Sequence, residues 1–138
     1  MTRGAILGID PGQRRVGVAV ADLETRFARP LEVIDVASSD PVNRIGELVA
    51  ETDASEVVVG KPVGLSGRDG PAVDAQRALL QELTDALDVP VREYDERLTT
   101  VVAEAGLRAG GANREARKAI RDAVAAQVML QGYLDSTS

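Results

Sequence analysis

The segment from Gly4 to Val20 limits the possible folds more than any other part of the chain. The run Gly-Ala-Ile-Leu-Gly-Ile-Asp, from Gly4 to Asp10, is too short and too apolar for a surface helix, and Pro11-Gly12 supplies turn chemistry directly after it. It reads as a buried strand ending at Asp10. Val16-Gly-Val-Ala-Val20 then alternates large and small side chains with a period of two, which predicts a second strand returning antiparallel to the first. A buried hairpin at this point commits the chain to a sheet, and the later segments decide what covers it.

A third strand is expected around Leu31 to Val36. Ser38, Ser39 and Asp40 offer N-cap side chains, Pro41 suits a first helical turn, and Ile45, Leu48 and Val49 recur at helical spacing. Glu56-Val-Val-Val-Gly60 is a β-branched run closed by glycine, as in a central strand covered on both faces. Gly60 to Pro71 reads as loop. Pro71 then opens a helix whose Ala72, Ala75 or Gln76, Leu79, Leu80, Leu83 and Leu87 form one apolar stripe, and Val89-Pro90-Val91 begins a further strand. Leu98 to Ala109 reads as a helix stopped by Gly110-Gly111, and Asn113 can cap a last helix reaching about Leu134. The expected class is therefore α/β, a five-stranded mixed sheet with helices on both faces. With 138 residues and no internal repeat, one domain over residues 1–138 is expected, large enough to bury a core without disulfides.

Composition narrows the chemistry. Cysteine and histidine are absent, which excludes thiol nucleophiles, Cys/His zinc sites, a Ser-His-Asp triad and an imidazole base. Catalysis must run on carboxylates, hydroxyls, lysine, arginine or a metal. A formal charge of -6 argues against non-specific coating of nucleic acid. Phe27, Tyr94 and Tyr133 are the whole aromatic set, too few for a base-stacking platform, so a bound nucleic acid would be read through its backbone. No segment approaches the roughly 18 consecutive apolar residues of a membrane span, and a cytoplasmic setting without membrane contact is expected.

Three acids then stand out. Asp10 closes the first strand, at the carboxyl end where open α/β sheets place their ligand crevice; the alternative is an ordinary turn aspartate bonding the Pro-Gly backbone. Ala119, Asp122, Ala126, Met129 and Tyr133 share one helix face, so Asp122 interrupts an apolar stripe and should meet a cation, either a metal or an arginine such as Arg97. Glu96 follows the strand of Val91 and Tyr94, where an acid can equally serve a helix dipole. Gathered at one rim, the three would form the oxygen-rich site that Mg²⁺ or Mn²⁺ prefers.

Positive charge surrounds these positions. Lys61 and Arg68, in the glycine-rich stretch from Gly60 to Gly70, are phosphate candidates, although no Walker A pattern is present. Arg114, Arg117, Lys118 and Arg121 fall at helical spacing just before Asp122, and Arg14, Arg15 and Arg97 extend the same proposal. A flexible connector and a solvated helix face are the plain alternatives.

Leu7-Gly-Ile-Asp-Pro-Gly12 with Gly17-Val-Ala-Val20, the Val-Val-Gly-Lys-Pro run at 58–62, Asp95-Glu-Arg-Leu-Thr-Thr100, and Asp122 with Ala125-Ala126 and Tyr133-Leu-Asp135 resemble, in order, the YqgF/RuvX family. The resemblance implies an RNase H-like fold and a nuclease acting in pre-16S rRNA processing, at 5′ end maturation in ribosome biogenesis. The same family is also described as Holliday-junction-resolvase-like, which gives branched DNA as the alternative substrate. It further implies that Asp10, Glu96 and Asp122 are catalytic and ligate two divalent ions, Mg²⁺ or Mn²⁺, which about 4 Å apart activate water and stabilise the leaving oxygen. The implied partner is structured RNA or branched DNA, and the chain a monomer or a homodimer. Two other classes stay open: an ATP-binding module like those of sugar kinases and actin, which need two such lobes, and a catalytically silent binding domain of the same fold.

Overall fold

A computed structural model describes residues 4–12, 14–61, 71–95 and 114–136; at 71–73, 95 and 114–120 only the backbone is described. The strands are β1 (Ala5–Asp10), β2 (Arg15–Asp22), β3 (Ala28–Asp35), β4 (Ala54–Lys61) and β5 (Val91–Asp95). The helices among the described residues are α1 (Pro41–Thr52), α2 (Pro71–Ala86) and α3 (Arg114–Ser136). The helix expected over Leu98 to Ala109 lies outside the described residues. So does the connection expected between Gly60 and Pro71, apart from its ends.

The strands form one sheet in the order β3-β2-β1-β4-β5. β1 pairs antiparallel with β2 and parallel with β4; β2 pairs antiparallel with β3, and β4 parallel with β5. The expected mixed sheet is therefore present, with β1 at its centre. β3 begins at Ala28, before the expected Leu31, because its first residues continue the ladder with β2 as far as Ala21↔Ala28. Hydrophobic spacing does not mark Arg29 and Pro30, which face solvent at this sheet edge.

Alternation along the strands sorts the core onto two faces. Leu7, Ile9, Val16, Val18, Val20, Val57 and Val59 pack with Ile45 and Leu48 of α1 and Leu79 and Leu83 of α2. Ile6, Ala19, Ala21 and Val58 pack with Ala126, Met129, Leu130 and Leu134 of α3 on the other face. The large residues of β2 thus face the helix pair, and its small ones face α3. Small residues let α3 come close: a Cβ on Gly8 would lie 2.7 Å from Leu130 Cβ, and one on Gly17 would lie 2.0 Å from the Asp122 carbonyl oxygen. These two contacts fix the height of α3 over the sheet.

Local chemistry sets the ends of α1. The Asp40 side chain accepts the Val42 N–H at 3.1 Å, Pro41 occupies the first turn, and Asp53 ends the helix in a left-handed conformation. Arg44 on the same helix ties it to β3 by reaching Glu32 at 2.7 Å.

Candidate active site

Asp10 is the last residue of β1 and lies opposite Gly17 of β2. Strand alternation turns it to the face shared by Ile6 and Gly8, where α3 packs. The carbonyl of Asp122 rests directly over Gly17. Asp10 and Asp122 therefore flank the same glycine, one on the sheet and one on the helix crossing it. No bulkier residue at 17 would allow that approach.

Arg15 stands two residues before Gly17 on the same face of β2, and its Nε donates to Asp122 Oδ2 at 2.8 Å. The two side chains are 27% and 28% exposed, so the pair sits at the rim and not in the core. Among the described residues, Arg15 supplies the cation that the sequence demanded for Asp122; Arg97 lies outside them. The register of β2 could have revealed it, since Arg15 and Gly17 share a face by period two.

Around this centre, the expected basic residues separate. Arg14 is exposed, its carbonyl accepts the Val36 N–H at 3.0 Å, and with Arg15, Asp35, Val36 and Ala37 it lines a cavity of about 470 Å³. Lys61 ends β4, half-buried and paired in register with Asp95. Arg121 is exposed next to Asp122, and Arg114, Arg117 and Lys118 stand on the first turns of α3. Glu96, Arg68 and Arg97 lie outside the described residues. Glu96 follows directly on β5, which is two strands from β1.

A second polar cluster on the α3 face was not anticipated. Tyr133 donates its hydroxyl to Glu56 Oε2 at 2.5 Å, the same oxygen takes Arg92 Nε at 2.6 Å, and the Tyr133 ring meets Tyr94 edge-on with centroids 5.7 Å apart. Burial pushes the Tyr133 phenol above its ordinary value, and the Glu56 carboxylate adds to the shift. Tyr94 pairs with Gly60, beside the β1 row, so this cluster anchors the strand that leads to Glu96.

As hard oxygen donors at the rim of one helix-over-sheet crossing, Asp10 and Asp122 suit Mg²⁺ or Mn²⁺ and would be the wrong set for a soft metal. Three carboxylates do not come together among the described residues, Glu96 being outside them. The pair is compatible with a metal site provided that Asp122 shares or gives up its bond to Arg15.

The sheet order and the helices on its two faces define the class, which is the RNase H-like fold. RuvC of Thermus thermophilus, solved in complex with a Holliday junction substrate, superposes with a TM-score of 0.57 at 21% identity, over 97% of this chain and 95% of that one. The fowlpox virus Holliday junction resolvase does so with a TM-score of 0.58 at 9% identity, over 97% of this chain and 99% of that one.

Within that class, the family model of RuvX, described as Holliday junction resolvase, matches residues 4–136, and the chain belongs to this family. A relative from Chloroflexus aggregans named "Putative pre-16S rRNA nuclease" is 42% identical over 99% of this chain and 96% of its own length. One of the same name from Thermobifida fusca is 44% identical over 99% of this chain and 90% of its own length. The family is one of nucleases, which are hydrolases.

Proposed function

We propose that this chain is a divalent-metal-dependent nuclease that hydrolyses phosphodiester bonds of precursor 16S rRNA, with Asp10, Glu96 and Asp122 as its metal-binding carboxylates. The observation that carries the reading is the meeting of Asp10 and Asp122 at Gly17, in a chain whose full-length relatives are named for that activity. Substrate, metal dependence and cytoplasmic setting all belong to this proposal.

Each residue has a defined task. Asp10 and Asp122 would hold the cation from the sheet and from the helix, and Glu96 would close the site from the end of β5. Bound there, divalent ions supply an activated water and charge stabilisation for the leaving oxygen of an in-line displacement. The chain has no histidine to share that work. Lys61 at the end of β4, Arg14 just before β2 and Arg121 beside Asp122 on α3 would supply cations that draw the backbone of a polyanion toward an acidic protein. Arg15, Arg68, Arg97, Arg114, Arg117 and Lys118 complete the proposed phosphate-contacting set.

Two substrates decide the matter. End-labelled precursor 16S rRNA and a four-way DNA junction are incubated with the protein in Mn²⁺, Mg²⁺ or EDTA. The reading predicts metal-dependent cutting with the RNA cut faster. Faster cutting of the junction would move the chain to the resolvase role, which also requires a two-fold dimer with suitably spaced sites. Cutting undiminished by EDTA would contradict the metal.

A further inference from the structure

The bond between Arg15 and Asp122 occupies a proposed metal ligand, and we propose that Arg15 is a displaceable counter-ion that competes with the divalent cation for Asp122. The inference rests on Asp122 being a metal ligand. A carboxylate oxygen that accepts the Arg15 Nε–H at 2.8 Å has directed a lone pair to the guanidinium. The arginine charge beside the site also repels an incoming dication, so competition and repulsion have the same sign.

The pair is built to open. Its side chains are 27% and 28% exposed, so water reaches both partners, and separating them strands no fully buried charge. Arg15 has a place to go. It lines the cavity of about 470 Å³ with Arg14 and Asp35, whose Oδ1 already accepts the Ala37 N–H at 2.9 Å. Turned toward that cavity, its guanidinium stands beside Arg14 at the rim, in a position to meet phosphate. Without metal, Arg15 balances the charge of Asp122; with metal, it becomes available to nucleic acid. Metal and substrate binding are thereby coupled, and each should strengthen the other.

Mn²⁺ affinity, measured by titration calorimetry or by the loss of the free-ion EPR signal, tests this without reference to turnover. Arg15→Gln should bind Mn²⁺ about 1.5- to fivefold more tightly than wild type, the range expected when a partly exposed ion pair no longer competes. Arg15→Lys, which keeps the charge but loses the guanidinium geometry, should fall between the two, and Asp122→Asn should bind more weakly. Equal or weaker binding by Arg15→Gln, with Asp122→Asn weakened as expected, would overturn the competition and leave the ligand assignment standing. Wild-type affinity in Asp122→Asn would overturn both. If Arg15→Gln does not fold, Arg15→Lys decides, tighter binding supporting the proposal and equal or weaker binding overturning it.

Discussion

Gly17 does as much for the candidate site as the acids it separates. A side chain there would collide with the backbone of α3 at Asp122, and backbone cannot swing aside as a side-chain tip can. Gly17→Ala should therefore cost about 1–3 kcal/mol of stability, the usual range for overpacking, and should weaken Mn²⁺ binding by lifting Asp122 away from Asp10. Gly8→Ala is the control, because it too presses on α3, at Leu130 Cβ, but two helical turns away from Asp122. It should lower the melting temperature with less effect on the metal. Thermal melts and Mn²⁺ titrations of the two variants check this, and unchanged Mn²⁺ binding in Gly17→Ala would contradict the role given to the glycine.

At the scale of elements, α3 is held over the sheet by apolar packing and by Tyr133, whose hydroxyl bonds Glu56 on β4. The folded-state value of the Tyr133 phenol is raised, so its contribution is fully present below the unfolded value of about 10 and is lost as pH rises through the folded value. Tyr133→Phe should cost about 1 kcal/mol at neutral pH, since Arg92 still satisfies Glu56. It should also remove part of the alkaline loss of stability. Denaturant midpoints at pH 8 to 11 measure both, and an alkaline slope identical to wild type would count against Tyr133. Most elements were legible because their signals are local: the period-two run of β2, the Asp40-Pro41 start of α1 and the leucine stripe of α2. The first residues of β3 were not, because Arg29 and Pro30 are solvent-facing and paired only through the ladder to β2. Asp10 and Asp122 could be named from sequence. Their meeting at Gly17, and the bond from Arg15, depend on how α3 crosses the sheet, which no local spacing records.

Across the whole molecule, one central strand and one crossing helix bring Asp10 and Asp122 to the same glycine, with Arg15 of β2 bonded to Asp122. The proposed phosphate-contacting residues on β2, β4 and α3 would reconcile a net charge of -6 with a polyanionic substrate, since the attraction need only be local. No helix among the described residues is long and apolar enough to cross a membrane. The account stands on the three acids acting as one metal site, although they come from distant parts of the chain. Single-turnover cleavage of precursor 16S rRNA by Asp10→Asn, Glu96→Gln and Asp122→Asn, each checked for an unchanged melting temperature, tests this most directly. Since even partners behind the metal ligands cost 10–100-fold, every one of the three should lose more than about a hundredfold in rate. A well-folded variant cutting at the wild-type rate would remove its residue from the site and contradict the account.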